Sequence, residues 1–285
     1  MNHNEFDPLE TDPKAITRHA HAIRRDVVRM VGVLGQGYVQ QGLGAADLFA
    51  CLFFAEMHLR AAEPRWPDRD RFLLSTAHNS ALFHAALARR RLIDPARLDS
   101  YCVDGSQLEV NVSQRLGPLV EATCGSLGQG VSVGLGMALA GRRRAAPYRV
   151  YVVLGDGEMQ EGQVWEAAMA AGSMGVANLC VIVDLNFMQV EGHSDRVLKQ
   201  EPVADKWASF GWHVVSVDGH DISALCAALS RARAATDKPT AIIATTLVGK
   251  GVAFLEGQFG HNMKLSAQDT AAALQALDAQ TELMA

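Results

Sequence analysis

The sequence predicts an α/β fold, a doubly wound and mostly parallel sheet with helices on both faces. Three observations predict it. Short, nearly continuous apolar runs rich in β-branched residues recur along the chain, each ending near Gly, Asp or Asn, as strands covered on both faces do. Segments of helical periodicity alternate with them, the order that builds βαβ units. A length of 285 residues, 49% hydrophobic and 20% charged, supplies a substantial core.

Taken in order, the strands are expected at residues 71–75 (RFLLS), 149–154 (RVYVVL), 179–184 (LCVIVD), 212–217 (WHVVSV) and 241–246 (AIIATT). Helical periodicity predicts helices over 13–34, 45–57, 80–89, 129–142, 162–173, 221–234 and 267–277. The stretches 61–70 and 104–118 are rich in Pro, Gly or polar residues and read as long loops, the kind that carry function in compact enzymes. No linker divides the chain, so one domain over 1–285 is expected, with a disordered tail of about residues 1–12.

The opening MNHNEFDPLETDPK is acidic and polar where a secretory signal would be basic and then apolar, and no run of 18 apolar residues occurs. A cytoplasmic protein without membrane contact is the expectation. Five scattered cysteines without a CxxC pair suggest neither a disulfide framework nor a zinc site. A net charge of -5 with mixed signs gives no basic stripe, which argues against nucleic acid. The run Arg142, Arg143, Arg144 reads as the solvated end of a helix.

Chemistry concentrates between residues 149 and 192. A buried strand ends in Gly155-Asp156-Gly157, a helix follows, and a second buried strand ends in Asp184-Leu185-Asn186. Both turns should emerge at the carboxyl edge of one sheet, where open α/β sheets bind ligands. Glycines beside Asp156 let backbone approach a ligand, and the next helix turns free N–H groups toward an anion such as phosphate. A hard cation takes oxygen ligands from one or two side chains, phosphate and water, and Asp156 with Asn186 can supply them.

GDG followed about thirty residues later by Asn186 resembles the thiamine diphosphate fingerprint. The flanks EGQVWEAAMAAG and VDLNFMQVEG resemble the transketolase family in particular. So do WPDRDRFLLSTAHNSALFHAAL, which puts His78 near the cofactor phosphates, GSLGQG at residues 125–130, and DKPTAIIATTLVGKGVAFLEG near the C-terminus. The resemblance implies a thiamine diphosphate-binding fold of the diphosphate (PP) type. It implies Asp156, Asn186 and the main chain of Met188 as ligands of Mg2+, with Ca2+ or Mn2+ able to replace it. Cofactor contacts are implied for His78, Gly125, Ser126, Leu127, Asp156, Gly157, Glu158, Asn186 and His261, and catalytic roles for His78, His261, Glu161 and Glu166. Glu161 and Glu166 match glutamates near the subunit interface.

In full-length members a pyrimidine-binding domain follows and carries the glutamate that activates the cofactor; it does not fit in 285 residues. The resemblance therefore implies a split transferase. Its partner would be a separate C-terminal pyrimidine-binding subunit in an α2β2 heterotetramer, acting on a small ketol donor and a carbonyl acceptor. The family's early GHPG corresponds to GYVQ, putting Tyr38 where a histidine is expected, and its second GHP corresponds to Val110-Asn111-Val112. An imidazole can shuttle a proton near neutral pH, whereas a phenol titrates far higher and an amide not at all; an unusual substrate is the expectation. In FGHNMK two assignments stay open: His261 serves directly, or Asn262 takes the family position. Two other functions are compatible with GDG and a later Asn. One is the α subunit of a 2-oxoacid dehydrogenase, which the flanking segments disfavour. The other is a non-catalytic binding subunit, which the intact metal and phosphate residues disfavour.

Overall fold

A computed structural model describes residues 6–283. Helix α1 (Pro13–Leu34) is capped by Asp12, whose side chain accepts from the Lys14 N–H, and ends at Gly35 in the left-handed conformation. The two-residue β1 (Gln36–Gly37), α2 (Val39–Gly44) and α3 (Ala46–Ala50) follow. The helix expected over 45–57 is α3 continued by a π-helical turn, Cys51–Glu56, in which the Met57 N–H reaches back five residues to the Leu52 carbonyl. Strand β2 (Arg71–Leu74) leads to α4 (Ser80–Arg89), then to α5 (Gln129–Arg143) and β3 (Val150–Gly155). Helix α6 (Gly162–Ser173) connects to β4 (Leu179–Leu185), and a small hairpin, β5 (Met188–Gln189) with β6 (Gly192–His193), hangs from its end. Short α7 (Ser194–Val197) and α8 (Val203–Ser209) precede β7 (His213–Asp218), α9 (Ile222–Ala234), β8 (Thr240–Thr245), β9 (Met263–Lys264) and α10 (Ala267–Leu283).

The five expected strands form one parallel sheet in the order β2-β3-β4-β8-β7, each bounded within a residue of its expected limits. Alternate residues feed two cores. Tyr151, Val153, Cys180 and Ile182 pack with α1, α3, α4, α9 and α10, whereas Val150, Val152, Leu154, Val181 and Val183 pack with α5, α6 and α8. This is the period-2 alternation of a sheet covered on both faces.

Handedness then dictates the topology. The steps β3 to β4 and β4 to β7 run in one direction with their helices on one face, and the step from β7 back to β8 reverses, so right-handed crossover moves α9 to the other face. The chain leaves β2 toward α4 on one face and β3 toward α6 on the other, opening a crevice at their carboxyl ends. Residues 1–5 of the expected tail lie outside the described residues. Residues 6–12 are not loose: the Asp7 N–H donates to the Leu59 carbonyl at 2.9 Å and the Glu10 N–H to that of Phe54 at 2.8 Å.

Candidate functional site

The crevice holds a cavity of about 260 Å³ lined by Gln41, Thr76, His78, Leu127, Gly155, Gly157, Glu158, Glu161, Asp184, Asn186, Met188 and His261, among others. Register brings its two ends together. Gly155 pairs with Asp184, and the Asp156 N–H donates to the Asp184 carbonyl at 3.2 Å. Asp156 therefore sits one step from Asn186 across adjacent strand ends. Ser194 ties the β5–β6 hairpin to the same point: its N–H donates to the Phe187 carbonyl at 3.0 Å and its hydroxyl to Asp156 Oδ2.

Asp156 Oδ1 is buried and has no hydrogen-bond partner among the described residues, a costly state for a carboxylate oxygen. Burial pushes its pKa up to about 7, the Ser194 hydroxyl opposes this, and the charge of Asp184 adds to the rise. Glu158 and Asp184 are likewise raised by burial; Ser75 and Thr246 hydroxyls are the first groups to oppose it. Three buried carboxylates thus crowd one strand edge, and hydroxyl and backbone groups, rather than a lysine or arginine, are the largest influences opposing the burial of Asp156 and Glu158.

Asn186 is fixed at both ends. Its Nδ2 donates to Asp184 Oδ2 at 2.8 Å, and its Oδ1 accepts the Met188 N–H at 2.9 Å, keeping one lone pair. The Met188 carbonyl is free for a different reason. Phe187 and Ser194 form a hydrogen-bonded pair of the hairpin, so by antiparallel alternation the Met188–His193 pair is a non-bonded one. The donors are therefore a carboxylate, an amide oxygen and a carbonyl, all hard oxygens fit for a divalent cation. Gly157 is required by close approach: a Cβ there would stand 2.6 Å from Gln189 Cβ.

Glu158 contributes differently. Its carboxylate accepts from the Ser75 hydroxyl, from the Gly128 N–H at 2.7 Å and from the Gly155 N–H at 3.2 Å. It staples the loops after β2, before α5 and after β3. Gly128, at φ 87°, also lies where a Cβ would meet Glu161 Cβ at 2.7 Å. Of the glycine-rich loop, Leu127 lines the cavity, whereas Gly125 and Ser126 are exposed outside it.

On the other wall, His78 and His261 lie 5.1 Å apart between ring centroids, with Tyr38 4.5 Å from His78 and 5.1 Å from His261. The pairing of β1 with β9 creates this cluster, since it sets Tyr38 beside the residues just before Met263. Burial, then the charge of His261, lowers the His78 pKa to about 4, and burial lowers that of His261. Both rings are neutral at pH 7. His261 lines the cavity and Asn262 is exposed outside it. Asn111 is exposed beside the His78 turn, held there by the Val112 N–H on the Ala77 carbonyl at 2.9 Å and the Ser80 hydroxyl on the Val110 carbonyl at 2.9 Å. Glu161 and Glu166 are exposed on the start of α6; Glu161 reaches the cavity and Glu166 does not.

Sequence reasoning missed Ser194, Gln41 and the orienting role of Asp184. Only Asp184 carried a signal, two residues before Asn186 at the end of a buried strand. Outside the cavity, among the described residues, His84 is fully buried without a hydrogen-bond partner, His220 bonds Asp47 at 2.8 Å and His213 bonds Asp237 at 2.8 Å.

Fold and cavity together define a doubly wound α/β protein that gathers hard oxygen donors at the carboxyl edge of its sheet. The chain belongs to the transketolase, thiamine diphosphate binding domain family, whose model matches residues 16–282. It is 38% identical over 264 residues to the 6-deoxy-6-sulfo-D-fructose transketolase subunit SqwG of Clostridium sp. (strain MSTE9), covering 92% of this chain and 96% of that protein. It is 32% identical over 234 residues to one subunit of the apulose-4-phosphate transketolase of Phocaeicola vulgatus, covering 82% and 83% respectively. The transketolase of Pichia stipitis in complex with sedoheptulose 7-phosphate superposes with a TM-score of 0.84 at 28% identity, over 95% of this chain and 45% of that one. The chain thus spans less than half of that transketolase.

Proposed function

We propose that this chain is the diphosphate-binding, N-terminal subunit of a two-component, thiamine diphosphate-dependent transketolase-like enzyme, a single domain over 1–285. It pairs with a separate pyrimidine-binding subunit in an α2β2 heterotetramer in the cytoplasm and transfers a two-carbon ketol unit to a carbonyl acceptor. One observation carries the reading: the buried, partnerless Asp156 Oδ1 beside the free oxygens of Asn186 and Met188. Those three would hold Mg2+, which Ca2+ or Mn2+ could replace, and a bound cation would offset the charge of the carboxylate cluster. When bound, thiamine diphosphate supplies a nucleophilic carbon and an electron sink.

The protein's part is binding and orientation. The Gly157 backbone and neutral His78, which line the cavity, would bind the diphosphate, and Leu127 would pack on the cofactor with Gly125 and Ser126 at the rim. Glu158 acts by holding three loops in place. Glu161 and Glu166, exposed on α6, face a neighbouring subunit. Val190, Leu247 and Phe259 expose apolar surface around the cavity and its neighbour (Val190 64%, Phe259 60%), which supports a docked partner here. Two relatives whose names make them transketolase subunits match over most of their length, which supports the two-component assembly. Their names also give uncommon substrates, a sulfo-sugar and apulose 4-phosphate, in keeping with Tyr38 and Asn111 on the substrate side of this chain.

Calorimetry on the chain co-purified with the neighbouring gene's product tests the proposal. Thiamine diphosphate should bind only with a divalent cation, and Asp156→Ala or Asn186→Ala should abolish binding. No binding by the wild-type complex with either Mg2+ or Ca2+ would overturn it, and steady-state turnover by the single polypeptide would overturn the two-component part.

A further inference from the structure

The hydrogen bonding of His261 is set by one side chain. Gln41, buried on α2, turns its amide toward His261, and Nε2 contacts both Nδ1 at 3.0 Å and the backbone carbonyl at 3.1 Å of that residue. A carbonyl oxygen only accepts, so the Gln41 atom between them is the NH2 group. Its two hydrogens are both used on one residue, and Nδ1 of the ring is therefore an acceptor. The ring proton then sits on Nε2, which has no partner among the described residues and belongs to a ring that lines the cavity.

We infer that Gln41 is a positioning residue that locks His261 in its neutral, Nε2-protonated tautomer, making it a hydrogen-bond donor toward oxygen-bearing substrate. The inference rests on the reading of the cavity as the cofactor and substrate site.

The lock follows from the double contact. Protonating Nδ1 would set two donors face to face, and flipping the amide to relieve them would aim its oxygen at the His261 carbonyl. Either way one good hydrogen bond becomes a repulsion, which penalises imidazolium and the other tautomer alike. Burial, which already lowers the His261 pKa, works in the same direction. Nδ1 is blocked and Nε2 already bears hydrogen, so His261 cannot take a proton from substrate. It can only give a hydrogen bond, and the matching ligand chemistry is an acceptor: a carbonyl, or an alkoxide developing from one. Neighbouring Gln40 braces the same segment, donating to the carbonyls of Leu255 at 3.1 Å and Gln258 at 2.8 Å. The segment leading to His261 is thus anchored at Leu255 and Gln258 as well as at His261 itself.

Long-range 1H–15N spectra of the full chain labelled at histidine read this directly, with His261 assigned by the peaks lost in His261→Asn. The wild type should show an unprotonated Nδ1 and a protonated Nε2, persisting as pH falls through about 6.5, where free histidine takes up its proton. Gln41→Glu, whose carboxylate prefers an Nδ1–H, should move the proton to Nδ1 or give the doubly protonated ring. Gln41→Met should let the ring titrate and mix tautomers. A wild type with Nδ1 protonated overturns the inference even if neither variant folds, and so does a Gln41→Met spectrum identical to wild type. The spectra need no bound cofactor, so failure of thiamine diphosphate to bind in calorimetry would sink the functional reading while leaving the tautomer result to stand or fall separately.

Discussion

Replacing Glu158 by alanine should loosen the site and the whole fold together. The carboxylate accepts three hydrogen bonds, from Ser75, Gly128 and Gly155, at a position only 3% exposed. Bonds to a charged acceptor contribute about 1.5–3 kcal/mol each, and truncation leaves all three donors buried without a partner. Against this stands the cost of burying the carboxylate, visible in its raised pKa, so the net loss should be about 3–5 kcal/mol. With a urea m-value of about 3 kcal/mol/M, that lowers the unfolding midpoint by about 1–1.7 M. Glu158→Gln keeps one oxygen for Ser75 and Gly128 but turns an NH2 on the Gly155 N–H, and should lose about 1–2 kcal/mol. Glu166→Ala, exposed on α6, is the control and should not shift the midpoint. Urea unfolding followed by far-UV circular dichroism measures all three. A Glu158→Ala midpoint matching that of the control would refute the staple.

The remaining predictions concern other parts of the molecule. His84 is fully buried with neither ring nitrogen hydrogen-bonded among the described residues, and burial lowers its pKa from 6.5 to about 3. The unfolded chain therefore binds a proton that the folded chain refuses. Stability is lost as pH falls below 6.5, by about 2 kcal/mol between pH 6.5 and 4.5, and urea midpoints against pH should fall less steeply in His84→Leu; parallel curves would contradict this. Gly157→Ala puts a methyl 2.6 Å from Gln189 Cβ and displaces the β5–β6 hairpin, so calorimetry should find cofactor affinity reduced at least about tenfold, ~1.4 kcal/mol. The complex should transfer poorly from xylulose 5-phosphate because Tyr38 and Asn111 stand where imidazoles are expected; efficient turnover of that donor in a coupled assay would refute the reading of those two positions.

Much of this was legible in the amino-acid string because the relevant signals are local. Five apolar runs named five strands, and alternation within Val150–Gly155 and Leu179–Leu185 fills both cores. GDG and Asn186 sit at ends of consecutive strands, so a βαβ unit alone is enough to bring them to one edge. The helix α2 was not legible, since VQQGLG is too short for a periodic signal. Nor was the role of Glu158, because two of its three donors, Gly128 and Ser75, come from loops 30 and 83 residues away.

Sequence by itself determined the class of fold, the family, and the carboxylate and amide at the strand ends, since each is carried by short local patterns that can be read segment by segment along the chain. Only the tertiary structure decided which oxygens remain free, that His261 rather than Asn262 enters the cavity, and which ring nitrogen Gln41 occupies. Those outcomes depend on the β1–β9 pairing, the hairpin register and the orientation of a buried amide. The first and last join residues 220 or more positions apart, the hairpin sets which of its backbone oxygens stay unpaired, and a linear pattern does not encode which way a side chain turns when such segments meet.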